Sequence, residues 1–212
     1  MNAVVLLSGG ADSAICAAWA KERFGDIQCL VFDYSQSHKK EISSAEKIAE
    51  ILDVEITEIN IPLTSQSSLT GGAGSRNDLP STFLPCRNLI FLSLAASFAI
   101  ENNCSNLVTG VCQTDYSGYP DCRQVFIDSI ESSIQLANTP LFDDFKIHTP
   151  LMNLSKAESV KFAKNIPLAW DCLSESWTCY EGGETPCGTC PACELRMKGF
   201  SEVGMIDPAL NN

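Results

Sequence analysis

Basic residues are scarce in this chain. Fourteen Lys and Arg stand against 26 Asp and Glu in 212 residues, for a formal net charge of -12 and a pI near 4.5. Affinity for a phosphate backbone rests on clustered Lys and Arg, so this balance argues against nucleic acid as a partner and for a small-molecule substrate. No apolar run reaches the roughly 20 residues of a membrane span, and the opening Met1-Asn2-Ala3-Val4-Val5 carries no basic n-region. We therefore expect a cytoplasmic protein with no membrane partner. Histidine is limited to two residues, and neither an internal repeat nor a domain linker is visible. With 45% hydrophobic residues and 8% aromatics, the chain can bury one sizeable core, so a single domain over 1–212 is expected.

Cysteine is plentiful. Eleven would suggest a disulfide scaffold in a short secreted chain, but an odd number without a leader favours reduced thiols and a metal site. Cys179 is followed by Cys187, Cys190 and Cys193, the last three in Cys-x-x-Cys-x-x-Cys spacing. Four thiolates in one short segment suit tetrahedral zinc, with Gly182, Gly183 and Gly188 letting the backbone fold around the ion and Pro191 stiffening the final turn. An iron-sulfur cluster is the main rival and disulfides the third reading. A zinc site closed by four cysteines has no open position, so its role is expected to be structural, within a C-terminal segment spanning 170–200.

Candidate strands cover 3–7, 27–32, 54–59, 106–111 and, more weakly, 145–148, with helical patterns over 13–23, 39–52, 88–101, 124–137 and 155–165. The last helix opens with Ser155-Lys156-Ala157-Glu158, a capping-box sequence. This alternation implies an α/β fold, a Rossmann-like parallel five-stranded sheet with helices on both faces. Ligands then gather at the carboxyl ends of the strands, near a switch in strand order. Residues 64–78, rich in Ser, Thr and Gly, read either as a surface excursion or as a lid over the site.

At the end of the first strand stands Leu7-Ser8-Gly9-Gly10-Ala11-Asp12-Ser13. Glycine lets backbone N–H groups approach a ligand closely, and the following helix points its positive end there, so anions collect at such a place. Ser-Gly-Gly alone would equally make a flexible turn; the strand before it and the alanine-rich helix after it favour an anion cradle. No Walker lysine follows the glycines.

Three further stretches carry candidate chemistry. The run VCQTDYSGYPDCR places Asp115, Tyr116, Ser117, Tyr119, Asp121 and Arg123 in a loop after a buried strand. It reads as a turn punctuated by Gly118 and Pro120, or as a pocket for a planar heterocycle, in which a carboxylate accepts paired N–H bonds and a tyrosine stacks on the ring. In FLPCRN, Arg87 falls at a helix start, where a cation is unfavourable unless an anion intervenes, so it is either a phosphate contact or a solvated arginine; Lys156 meets the same argument. Residues 33–38 follow the second strand at the end where a nucleotide would lie, with His38 among them.

The glycine loop without a lysine resembles that of the ATP pyrophosphatases, which cleave ATP to AMP and pyrophosphate. Together with FDYSQSH at 32–38, FLPCRN, GYPDCR, TPLMNLSKAE from Thr149 and CGTCPAC, it makes the chain similar, from about Val4 to Phe200, to the QueC family of 7-cyano-7-deazaguanine synthases. The pattern differs at Ser35 and Cys86, where the family usually has glycine, at Ser37, where it has arginine, and at Ala14-Ile15, which replaces a threonine-rich pair. The resemblance implies a pyrophosphate-loop α/β fold, one structural zinc, ATP with magnesium, and frequently a homodimer. It further implies that 7-carboxy-7-deazaguanine and ammonia become 7-cyano-7-deazaguanine through adenylated acid and amide intermediates, a route needing no side-chain nucleophile. On that basis Leu7, Ser8, Gly9, Gly10, Ala11, Asp12, Ser13 and Phe32 are expected at ATP. Lys156, Arg87 and Asp12 are assigned to catalysis, and Asp115, Tyr119, Asp121 and Arg123 to the base and its carboxylate. Alternatives are a transfer-RNA-thiolating relative using Cys86 or Cys112, or a ligase or binding module for a deazaguanine.

Overall fold

A computed structural model describes residues 1–37, 39–63, 67–70, 81–114 and 119–210. In chain order the elements are β1 (Ala3–Leu6), α1 (Ala11–Phe24), β2 (Ile27–Asp33), α2 (Lys40–Leu52), β3 (Glu55–Asn60), α3 (Arg87–Glu101), β4 (Asn106–Val108), α4 (Gln124–Asn138), β5 (Lys146–His148), α5 (Lys156–Ala163), α6 (Ala169–Glu175) and α7 (Pro191–Glu202). The strands pair in parallel in the order β3-β2-β1-β4-β5.

Period-two alternation sends β1 to two cores. Ala3 and Val5 enter one with α1, α2, α5 and α6, while Val4 enters the other with α3 and α4. Both faces of the sheet are thereby covered, as parallel strands require, since their βα crossovers lay helices on each side. The order reverses between β1 and β4, so the chain leaves β1 in one direction and β4 in the other, opening a crevice at their carboxyl ends. The glycine loop follows β1 there. Gly110, after β4, closes the crevice floor, because a Cβ on it would lie 2.9 Å from Ser13 N and 3.0 Å from Asp12 C.

The expected five strands and the helices between them are present, with ends shifted by a few residues. The box at α5 forms as its sequence implies: Ser155 Oγ accepts from Glu158 N, and the Glu158 carboxylate accepts from Ser155 N at 2.8 Å. Helices α6 and α7 have no counterpart in the sequence reading, because α6 is short and the cysteine spacing masks any helical period in α7. Pro191 does not stiffen a turn; it is the first residue of α7, where its missing N–H has no helical partner to lose. The candidate lid at 64–78 lies outside the described residues apart from 67–70. No helix among the described residues is long and apolar enough to cross a membrane.

Candidate active site

The loop after β1 is shaped for close approach. Gly9 has φ of 86°, and a Cβ on it would sit 2.0 Å from the Glu41 carbonyl oxygen at the start of α2. Only glycine fits there. Gly10 is the N-cap of α1 but supplies no side-chain cap, and the helix positive end faces the crevice. Ser13 Oγ donates to Gly10 O at 2.9 Å and lies 3.1 Å from Ser8 Oγ. Hydroxyls and amides thus line one concave turn, which suits a phosphate chain. Leu7 and Ala11 are buried, leaving their backbones as the parts that can meet a nucleotide. Phe32 is likewise spent in the core, stacked on Phe91 with centroids 4.5 Å apart. Ala14 and Ile15 also face the core.

Lys156, at the first position of α5, crosses to the same loop. Its Nζ donates to Asp12 Oδ1 at 2.8 Å and Oδ2 at 2.7 Å. Gly199 of α7 makes room for its stem, since a Cβ there would lie 2.5 Å from Lys156 Cγ. The anion that a cation at this helix start demands is therefore supplied by the protein. Arg87 gives a similar result at α3: Asp121 is within its electrostatic reach, and the Asp121 carboxylate accepts the Asn88 N–H at 3.2 Å, capping the helix. Helix position alone consequently does not assign either cation to a phosphate.

Arg87 lies 5.8 Å from the Tyr119 ring centroid and within electrostatic reach of the Tyr34 hydroxyl. Tyr119 is held in turn by a hydroxyl contact with Thr82 and by stacking on Phe83. Burial pushes the Tyr34 hydroxyl up to about 12, so it stays a neutral donor. Tyr180, from the cysteine segment, faces Tyr119, Arg87 and Glu41. The structure thus brings together Arg87, Tyr119 and Asp121, joins to them Tyr34 of the 33–38 run, and adds Glu41 and Tyr180, which sequence reading missed. Tyr34 lies inside the FDYSQSH run and Glu41 three residues beyond it, so that run carried the signal for both; Tyr180 had only its neighbour Cys179 to draw attention. Arg123 is exposed at the N-cap of α4, and no contact among the described residues links it to this group. Asp115, with Tyr116, Ser117 and His38, lies outside the described residues.

The four Sγ atoms of Cys179, Cys187, Cys190 and Cys193 all lie within 4.8 Å of one another. A tetrahedral zinc with bonds of about 2.3 Å sets its sulfurs about 3.8 Å apart, and a four-iron cluster spreads its thiolates wider. Cys179 Sγ accepts the N–H of Cys187 at 3.3 Å and of Glu181 at 3.4 Å; Cys187 Sγ accepts from Thr189 and Cys190. Those amides lower the Cys187 thiol to about 6. The segment is joined to the glycine loop, for Trp177 donates its backbone N–H to Gly9 O at 2.8 Å and its indole N–H to Cys179 O at 2.8 Å. Cys112 is buried with its sulfur against Leu154 O, and Cys86 is exposed.

Two shallow hollows, of 440 and 650 Å³, open at the opposite, amino ends of the strands. They share Asp53, Val54 and Glu55 and touch none of the residues above.

A profile of the family described as queuosine biosynthesis protein QueC matches residues 2–204. The chain belongs to the QueC family. Among similar QueC relatives, a 7-cyano-7-deazaguanine synthase from Chromobacterium violaceum is 44% identical, covering 98% of this chain and 92% of the relative. One from Bacillus subtilis is 42% identical over 95% of this chain and 94% of its own. Solved structures that resemble this QueC chain share its fold at low identity. The U34-tRNA thiolase NcsA of Methanococcus maripaludis has a TM-score of 0.52 at 17% identity, covering 95% of this chain and 64% of that one. A 4-thiouridine synthetase bound to RNA and ATP has a TM-score of 0.53 at 20% identity, covering 96% of this chain and 50% of that one.

Proposed function

We propose that this chain converts 7-carboxy-7-deazaguanine and ammonia into 7-cyano-7-deazaguanine at the expense of ATP, releasing AMP and pyrophosphate. The carrying observation is that, in a QueC chain, the glycine loop and the Arg87–Tyr119–Asp121 group meet at one end of the sheet. A carboxylate does not react with ammonia until its oxygen becomes a leaving group. Bound ATP supplies the adenylyl group that makes it one, first on the acid and then on the amide.

The residues bind, orient and stabilise charge. Ser8, Gly9, Gly10 and Ser13 cradle the phosphates, and Asp12 is the candidate protein ligand for magnesium. Lys156 holds Asp12 in place and adds positive charge beside the phosphates, while Arg87 faces the developing charge from the other side. Tyr119 offers a ring for the base, and Asp121 accepts its N–H groups with the capacity its helix cap leaves. Asp115 and Arg123 complete this assignment from the same stretch of chain. Cys179, Cys187, Cys190 and Cys193 hold a structural zinc. The exposed Val125 and Leu136, eleven residues apart and so on one face of α4, support a homodimer.

Mixing the protein with ATP, ammonium and the acid is expected to yield AMP and the nitrile by mass spectrometry. Formation of ADP alone, or AMP release independent of the acid, overturns the proposal.

A further inference from the structure

We infer that Arg196 is a positioning residue for the phosphate loop. From inside α7 it fixes the backbone on both sides of Trp177, whose N–H in turn sets the peptide between Gly9 and Gly10. The inference rests on the reading above that this loop holds ATP, and it concerns a residue that reading leaves out.

Arg196 is 8% exposed, and its whole guanidinium is engaged. Nε donates to Asp207 Oδ2 at 2.6 Å and Nη2 to Asp207 Oδ1 at 2.9 Å, a bidentate pair with a carboxylate that is itself buried. Nη2 also donates to Leu173 O of α6 at 3.1 Å. Nη1 donates to Ser176 Oγ at 2.9 Å, to Ser176 O at 3.3 Å and to Thr178 Oγ1 at 2.8 Å. A guanidinium holds its N–H groups in a fixed plane, and here each nitrogen has its acceptors, so the side chain is locked in one orientation. The pair with Asp207 alone would staple the chain after α7 to that helix. The Nη1 bonds go further, because Ser176 and Thr178 are the two neighbours of Trp177.

Trp177 is where the cysteine segment meets the loop, its N–H donating to Gly9 O at 2.8 Å. In a trans peptide the C=O and N–H point in opposite directions. Fixing Gly9 O therefore aims the Gly10 N–H the other way, where Ser8 Oγ accepts it at 3.4 Å. Gly10 is the N-cap of α1, so this N–H is one of the donors left without a helical partner. Gly9, with φ of 86° and no side chain, has little of its own to resist a flip of that peptide. A flipped peptide would turn a carbonyl oxygen, in place of a donor, toward the phosphates. The Glu41 backbone confines Gly9 at its α-carbon, and the bond from Trp177 confines its carbonyl. Helix α7 also carries Gly199, over which Lys156 reaches Asp12, so one helix supports both Gly9 and Asp12.

The test compares wild type, Thr178→Val and Arg196→Lys in the whole chain, with ATP as the probe. Thr178→Val keeps the side-chain shape and the Arg196–Asp207 pair, and removes one acceptor beside Trp177. Arg196→Lys keeps a cation for Asp207 but cannot also hold Ser176 and Thr178. Calorimetry is expected to show ATP binding weakened roughly 5-fold in Thr178→Val and about 10-fold or more in Arg196→Lys. In turnover the KM for ATP should rise by similar factors while the KM for the acid stays within about 2-fold. Hydrogen exchange at the Trp177 amide should quicken in both variants before nucleotide is added. If Arg196→Lys does not fold, Thr178→Val decides. A lowered urea midpoint with unchanged ATP affinity is what a purely structural role gives, and it overturns the inference; so does equal weakening for ATP and the acid. Wild type that binds ATP but forms no acid-dependent AMP overturns the synthase reading instead, and the binding comparison still judges Arg196. Failure of wild type to bind ATP overturns both.

Discussion

Lys156 Nζ bonds both carboxylate oxygens of Asp12, at 2.8 and 2.7 Å, across 144 residues of chain. The pair fixes the start of α1 against the start of α5, and it sets a positive charge beside the loop that faces the crevice. Lys156→Met is expected to slow AMP formation by roughly 100-fold, the scale of losing one preorganised charge donor. It should also cost about 1–3 kcal/mol of stability, because Asp12 stays partly buried without its partner. Adding Asp12→Asn should recover part of the stability and none of the rate. Urea unfolding and AMP quantification of the two single variants and the double variant check this.

Gly9 and Gly10 are adjacent but not equivalent. A Cβ at Gly9 meets the Glu41 carbonyl at 2.0 Å, on a backbone with φ of 86°, whereas at Gly10 the nearest atom is Ser8 Oγ at 3.5 Å. Gly9→Ala is expected to cost about 3 kcal/mol, summing left-handed strain and overlap, and to weaken ATP binding. Gly10→Ala should cost less than about 1 kcal/mol. Thermal unfolding with and without ATP separates the two.

Ser35 and Cys86 adopt left-handed φ angles of 62° and 60°. Glycine, which the family resemblance leads one to expect at both positions, adopts this conformation without strain. Ser35→Gly and Cys86→Gly are each expected to stabilise the protein by about 0.5–1 kcal/mol, the strain relieved less the entropy that glycine adds to the unfolded chain. Chemical denaturation measures it.

One metal ion per chain is expected by elemental analysis, as zinc, with no visible absorption of the kind iron-sulfur clusters give. Cys190→Ser or a strong chelator should remove it, change the fluorescence of Trp177, and weaken ATP binding, because Trp177 hydrogen-bonds both Cys179 O and Gly9 O.

The Glu41 carboxyl titrates near 7 in the folded chain against 4.5 ordinarily, with burial the main cause. The folded state therefore holds more protons than the unfolded one between those values, and stability from this group falls as pH rises from 4.5 to 7 and is level above. Glu41→Gln removes the decline. Its stability relative to wild type should grow across that interval, as read by urea midpoints at each pH.

Strand-helix alternation, the glycine turn after an apolar strand, the capping box at Ser155 and the cysteine spacing were all legible in the chain. Each is a local matter: a side-chain period, a backbone allowance or ligands within 15 residues of one another. Helices α6 and α7 were not legible, because α6 has only seven residues and the start of α7 carries two of the cysteines, Cys190 as its N-cap and Cys193 in its first turn. The strand order and the pairings across it were decided by packing alone. Lys156 reads in sequence as a cation awaiting a phosphate, and only the α5–α7 crossing over Gly199 delivers it to Asp12. Asp121 reads as a base acceptor, and only the neighbouring turn makes it the cap of α3. Glu41 reads as an ordinary acidic residue near a helix start, and its partly buried place near Arg87, Tyr34 and Tyr180 exists only once distant segments have closed around it. Local propensity is written residue by residue, whereas a carboxylate's charge state depends on every element packed against it.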